Sequence, residues 1–148
     1  MSTAHDVTTH HRARTGMMLR VLGALALGYS GWLHLRIAMD RPPLFADGQV
    51  TLSGLFIAQA VAAAIVVLWV LLRGDLLAWL AFGAVALGSL VALIASVYVQ
   101  IPSMGPFPAI YEPVWYADKI LAATAAALAS VVALVAVLSL LRRRRSVR

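Results

Sequence analysis

Four apolar stretches, Met17–Met39, Thr51–Leu72, Leu76–Val99 and Ile120–Leu141, fill most of this chain of 148 residues. Each is longer than 20 residues, and a hydrocarbon layer about 30 Å thick needs roughly 20 residues of helix rising ~1.5 Å apiece. The pattern predicts an all-α polytopic membrane protein, with four transmembrane helices in an antiparallel bundle. Residues 1–16 then read as a disordered tail, 17–141 as the transmembrane domain, and 142–148 as a basic tail. No room is left for a separate soluble domain.

With 62% hydrophobic and 12% charged residues, the chain lies far outside the soluble average. The net charge of +6 raises the question of nucleic acid, and the placement of that charge argues against it. Arg12, Arg14, Arg20, Arg73, Arg142 to Arg145 and Arg148 lie on the segments that share one side, with only Asp6 and Asp75 against them. The other side carries Arg36, Arg41 and Lys119 against Asp40, Asp47, Glu112 and Asp118. Counted over Lys and Arg alone, the split is nine to three, and the positive-inside rule puts both termini and the Arg73–Asp75 turn in the cytoplasm. The Asp40–Val50 and Gln100–Lys119 connections are expected to face outward.

Cysteine is absent, which removes disulfides, thiolate metal sites and dithiol redox relays. Eleven arginines to one lysine, with abundant Ala, Leu and Val, fit a GC-rich bacterial genome and hence a bacterial cytoplasmic (inner) membrane. A cleaved signal peptide is the rival reading of the first span, given its basic lead and the Leu22–Gly28 run. Apolar character that continues through Trp32, Leu33, Leu35, Ile37 and Ala38 favours an uncleaved anchor instead.

The leader holds His5, His10 and His11 without apolar periodicity, and reads as a solvated tail rather than a metal site. Arg20 can snorkel to the headgroups, while Gly23, Gly28 and Gly31 let another backbone approach closely. Asp40-Arg41-Pro42-Pro43 stops the first helix, because proline lacks a donor and restricts its predecessor. Leu44, Phe45 and Asp47-Gly48 read as a short turn-rich loop. Spans two and three are joined by Arg73-Gly74-Asp75 alone, which forces a hairpin with Asp75 placed to cap the third helix. The R-G-D letters there are accidental on a cytoplasmic turn. Small residues recur at every fourth position as Gly54, Ala58 and Ala62, as Ala84, Gly88, Ala92 and Ser96, and as Ala122, Ala126 and Ser130. In lipid such ladders favour close helix packing, within one chain or between copies.

The Gln100–Lys119 connection contains Pro102, Pro106, Pro108 and Pro113, which oppose a long helix. Phe107, Tyr111, Trp115 and Tyr116 suit the membrane–water interface, so the segment reads as an interfacial flap, or more sharply as a lid over an outward-facing cavity. His34 is the one histidine inside an apolar span. Arg36 projects about 200° away around the helix axis. Polar groups at such depth are costly and face protein or a wet cavity. His34, Gln59, Tyr98, Glu112, Trp115 and Tyr116 therefore form the candidate ligand site. The alternative is that His34 and Gln59 only bond neighbouring helices, or that His34 reaches the outer interface.

A b-type haem wants two axial ligands from facing helices. A single copy offers only His34, with Met39 and Met104 at or beyond helix ends, so no cofactor is expected, and no metal. A proton-coupled exporter would want a carboxylate within the bundle, and none of the four stretches has one. Neither G-x-S-x-G nor H-E-x-x-H occurs, nor a nucleotide-binding glycine loop, so an enzyme is disfavoured and no catalytic residue is assigned. Arg142, Arg143, Arg144 and Arg145, directly after the last span, fix topology and attract anionic headgroups at ~1 kcal/mol per basic residue; an acidic partner protein is the alternative.

Gly31–Leu35 (G-W-L-H-L), Pro43–Phe45 (P-L-F), the alanine-rich second span and the A-x-G-x-x-V-A-L-x-A-S pattern of Ala86–Ser96 are followed by an outer loop with Pro, Tyr and Glu. In this order the chain resembles a group of short actinobacterial four-span membrane proteins without assigned activity. The likeness covers roughly residues 20 to 140. In size and layout the chain is also similar to DoxX-like membrane proteins. The resemblance implies the fold and carries no site residue with it.

The functional expectation is a non-enzymatic accessory or scaffold subunit of a membrane assembly, packed against itself as a homo-oligomer or against a partner membrane protein. Second comes a binder of a quinone-like or other lipophilic molecule, in which His34 and Tyr98 hydrogen-bond the ligand, Gln59 orients it, and Trp115 or Tyr116 stacks on it. A small transporter is third.

Overall fold

Two capping side chains set where the middle helices begin. Thr51 accepts a hydrogen bond from the Gly54 N–H at 3.2 Å, and Asp75 accepts one from the Ala78 N–H at 2.8 Å. Each satisfies a donor that the first helical turn leaves without a partner. In the computed structural model, which describes residues 3–41, 45–46 and 49–145, the helices are α1 (Thr3–Met39), α2 (Leu52–Leu72), α3 (Leu76–Tyr98) and α4 (Ala117–Arg145). Side chains of α1 are described from Thr15 onward. A minimal antiparallel pair, β1 (Phe45–Ala46) and β2 (Gln49–Val50), lies between α1 and α2. The architecture is an all-α bundle of four helices.

The helix boundaries depart from expectation at both ends of the chain. The backbone is helical from Thr3, where a disordered tail is expected. Neither proline nor glycine interrupts Thr3 to Thr15, so the helix runs on through the polar leader. Likewise α4 continues through Arg142–Arg145, since arginine is a good helix former and a cation suits a helix C-terminus. The expectations for the His10 and His11 side chains, for Pro42, Pro43 and Leu44, and for the Asp47-Gly48 turn lie outside the described residues.

Each of α1 and α4 packs closely against its neighbours, α1 on α2 and α4, and α4 also on α3. The α2–α3 seam is the loosest of the four, although only a short turn joins those helices. Alanines make the tight seams possible: Ala122, Ala126, Ala129, Ala133 and Ala136 form a buried stripe on α4. Leu27, Val66, Val70, Trp79 and Phe82 complete the main core around it. Gly31 brings α1 onto α2 so closely that an added Cβ would lie 3.1 Å from the Ala63 Cβ. Gly23 meets the rings of Trp79 and Phe82, whereas Gly28 faces open space. The ladder on α3 turns the other way, since Ala84, Gly88 and Ala92 are exposed and only Ser96 is buried.

Large apolar side chains dominate the outer surface. Leu72 is 80% exposed, Leu25 66% and Leu77 62%, an inside-out distribution that suits lipid and not water. Among the described residues three helices, α2, α3 and α4, are long and apolar enough to cross a membrane. α1 is not one of them, because Arg20, His34 and Arg36 dilute its apolar run. Thr15, Arg20, Gly74 and Arg143 line one hollow, so the Thr15–Arg20 part of α1, the last turns of α4 and the α2–α3 turn share one end of the bundle. The α1–α2 and α3–α4 connections share the opposite end, here the loop end.

Candidate ligand cavity and its ion cluster

Serines pin the loop-end half of α1 to its neighbours. Ser30 Oγ donates to the Ala122 carbonyl of α4 at 3.1 Å, and Ser53 Oγ of α2 donates to the Ala38 carbonyl at 2.9 Å. Between them stands His34, only 2% exposed. Its Nδ1 lies 2.8 Å from the Ser30 carbonyl oxygen, one turn earlier. A carbonyl only accepts, so Nδ1 carries the hydrogen, and in the neutral ring Nε2 is left as an acceptor. That nitrogen lies 3.4 Å from Ser89 Oγ on α3, and the ring meets Phe56 of α2 edge-on with centroids 5.6 Å apart.

His34, Phe56, Gln59, Ser89 and Ser96 line a cavity of about 210 Å³ where α2 and α3 draw apart. Its remaining walls are mostly leucine, and Ile110 and Glu112 close it from the loop side. Gln59 Nε2 donates to the Val85 carbonyl at 3.4 Å, and Ser96 Oγ to the Leu93 carbonyl at 2.7 Å.

Above the cavity, residues 99–116 form a folded-back loop without helix, as the four prolines require. Ile101 bridges Ile110 and Met104 bridges Phe107, with the reversal at Gly105, whose φ of 58° lies in the left-handed region. The loop is tied down twice by backbone bonds, from the Val50 N–H to the Pro106 carbonyl at 3.0 Å and from the Glu112 N–H to the Ser96 carbonyl at 2.7 Å.

A cluster of charges fastens the same loop. Glu112 accepts from Arg41 through one carboxylate oxygen and from Lys119 through the other, the latter at 3.3 Å. Lys119 Nζ also donates to the Glu112 carbonyl at 2.9 Å and lies 5.8 and 5.9 Å from the ring centroids of Trp115 and Tyr116. Arg41 donates to the Tyr116 hydroxyl at 3.2 Å and covers the Phe56 ring. Burial alone would lower the Arg41 pKa, but the Glu112 hydrogen bond and charge, with help from Tyr116, hold it above its ordinary value. Burial and the Glu112 charge raise the Tyr116 pKa, and Arg41 offsets only part of that. Outside the cluster Arg36 pairs with Asp118 at 3.5 Å and covers Trp32, on the helix face away from His34.

The structure thus gathers His34, Gln59 and Glu112 around one cavity and leaves three other candidates elsewhere. Tyr98 is 71% exposed, and its hydroxyl accepts from Trp115 Nε1 at 3.4 Å on the outer surface. Tyr116 belongs to the ion cluster. Tyr98 is the last residue of α3, whose inward positions there are taken by Ser96 and Val97. Sequence reasoning missed Ser30, Phe56, Ser89 and Ser96 as site residues, and Arg41 and Lys119 as the partners of Glu112. Lys119 reads as a loop charge in the sequence and is fully buried within the first turn of α4. The only available signal was its spacing of seven residues from Glu112. Arg142–Arg145 are exposed at the opposite end. Among the described residues no three His, Asp or Glu side chains converge as a metal site.

Comparison with known protein families, with curated proteins and with solved structures finds no match for this chain.

Proposed function

We propose that this is a protein of the bacterial cytoplasmic membrane, termini inside, in which α1 spans alongside the α2 and α4 it packs against, and which holds a small lipophilic molecule in the cavity beneath its outward-facing loop. The observation that carries this reading is the cavity itself, apolar in its walls and furnished with a buried histidine whose orientation a backbone carbonyl fixes. An apolar cavity of roughly 150 Å³ takes a benzene ring, so about 210 Å³ suits a head of one or two fused rings. The loose α2–α3 seam offers a route from the bilayer. A lipophile dissolved in lipid gains little by moving to an apolar wall. Affinity must then come from shape and from the polar groups, which gives His34, Gln59 and Ser89 the deciding role.

Native mass spectrometry of the protein released from its own membranes tests this. The expected result is a bound organic mass that is absent from Leu55→Trp, which fills the cavity from the α2 side. A bare chain in both proteins overturns the reading.

A second reading, an accessory subunit or homo-oligomer, is favoured by one specific observation. Ala84 and Gly88 lie on the outer surface, beside a shallow apolar groove of about 420 Å³ between α3 and α4. Close helix approach in lipid uses such small residues. Under this reading Gly88→Leu abolishes a stoichiometric partner or second copy in the same spectra, and Leu55→Trp leaves it in place.

A further inference from the structure

We propose that the cavity takes a ligand that donates a hydrogen bond, an alcohol or phenol including the reduced hydroquinone, in preference to a ketone, quinone or ether. The inference rests on the lipophile reading and adds the polarity of the ligand's head.

Its basis is the state of each polar group that lines the cavity. The Ser30 carbonyl at 2.8 Å holds the His34 hydrogen on Nδ1, so the neutral ring turns the lone pair of Nε2 toward Ser89 and the cavity. Ser89 Oγ stands 3.4 Å from that nitrogen, longer than the usual 2.7–3.2 Å, and leaves Nε2 available to a closer donor. The Ser96 hydrogen is engaged by the Leu93 carbonyl at 2.7 Å, so its oxygen offers lone pairs only. The bond from Gln59 Nε2 to the Val85 carbonyl sets which way the amide points and turns Oε1 away from that carbonyl. Glu112, bridged by Arg41 and Lys119, is a carboxylate and has no hydrogen to give.

Acceptors therefore outnumber donors in this lining. The Ser89 hydroxyl and the second Gln59 N–H are the donors that remain, and the first is directed at Nε2. A ketone or ether oxygen brought here can be met only by Gln59 or by Ser89 turned away from His34, and it leaves Nε2 without a donor, an unsatisfied polar contact that is costly in an apolar site. A hydroxyl fits both needs, giving its hydrogen to His34 Nε2 and accepting from Ser89 or Gln59.

The test uses three probes of one size, 2-naphthol, 2-methoxynaphthalene and 1,4-naphthoquinone. Each is titrated by isothermal calorimetry into the intact protein in nanodiscs, with empty nanodiscs of the same lipid as the reference for partitioning. The expected result is saturable binding of 2-naphthol at least ten-fold tighter than the other two. That preference should collapse in His34→Phe and widen in Ser89→Ala, which frees Nε2 and removes a donor that a ketone would use, and which keeps the inference testable should the histidine variant fail to fold. Equal binding of all three probes, or tighter binding of the quinone, overturns the donor inference and leaves the lipophile site standing. No binding of any probe above empty nanodiscs overturns both.

Discussion

Lys119 and Glu112 meet twice, because Nζ donates both to the Glu112 carboxylate at 3.3 Å and to its backbone carbonyl at 2.9 Å. The side chain of Lys119 is 1% exposed and that of Glu112 22%, so the contact sits inside the bundle. Since Arg41 also binds Glu112, the cluster holds two cations for one anion. This surplus sets an order among substitutions. Glu112→Gln leaves the buried Lys119 and the half-buried Arg41 without a counter-charge and should cost about 3 kcal/mol, near the lower end for breaking a buried pair because Arg41 and Glu112 keep some contact with solvent. Lys119→Met leaves a balanced Arg41–Glu112 pair and fills the same space, so it should cost only about 1 kcal/mol. Thermal unfolding in one detergent compares the two directly, and a Lys119→Met protein less stable than Glu112→Gln contradicts the charge argument.

Contact between α1 and α2 depends on the missing side chain at Gly31. Its added Cβ would lie 3.1 Å from the Ala63 Cβ and 3.7 Å from the Ala60 carbonyl oxygen. One methyl must push the helices slightly apart, whereas a branched side chain must separate them. Gly31→Ala should lose about 1 kcal/mol and Gly31→Val about 3 kcal/mol. Gly28→Ala has nothing within 4 Å of the new methyl and should be neutral or mildly stabilising. Melting temperatures of the three variants check the order, and equal losses at Gly28 and Gly31 would show that helix propensity, not packing, governs both.

How far these features are legible from the sequence depends on whether they are periodic. The helices are, because twenty-odd apolar residues between Thr51 and Leu72 or between Leu76 and Val99 admit little else. The Asp75 cap is also legible, because a cap acts within three residues of itself. Which face each helix turns inward is another matter. Ala84, Gly88 and Ala92 have the same spacing as Ala122 and Ala126, yet the first set is exposed and the second buried, since in lipid the apolar pattern no longer marks the inward side. His34, Gln59 and Glu112 stand out as polar residues near one end. Ser89 does not, because its role comes from a residue 55 positions away, and Lys119 offers only a spacing of seven from Glu112 across a helix boundary, which no helical period marks.

At the opposite end, Arg20 donates to the carbonyls of Leu71 and Arg73, at 3.4 and 3.0 Å, and so serves the carbonyls left open where α2 stops. The chain leaves that helix through Gly74 at a φ of 57°, and a Cβ there would lie 2.2 Å from Arg20 Nε. Gly74→Ala thus carries two costs, the left-handed backbone at about 1 kcal/mol and the displacement of a capping guanidinium at about 1 kcal/mol more. Arg20→Ala removes the cap and the obstruction together. In the double variant only the backbone cost should be added to that of Arg20→Ala, so the two changes should fall short of additivity by about 1 kcal/mol. Full additivity in a double-mutant cycle of unfolding free energies would mean that Arg20 yields freely and that its two hydrogen bonds contribute nothing.

Tyr116 provides a pH signature for the loop fastening. Burial first, and the Glu112 charge second, raise its pKa above the ordinary value of about 10. The folded protein therefore holds this proton more tightly than the unfolded chain does. The resulting stability is fully present below the unfolded value of about 10 and is lost as the pH climbs through the higher folded value. Tyr116→Phe loses the hydrogen bond from Arg41, a constant deficit, and has no proton to release. The difference in melting temperature between wild type and Tyr116→Phe should stay flat below about pH 9 and close as the pH rises above about 10, with the remaining tyrosines common to both proteins. Parallel curves across the alkaline range would mean that the phenol is as free to ionise in the folded protein as in the unfolded chain, and that Glu112 does not bear on it.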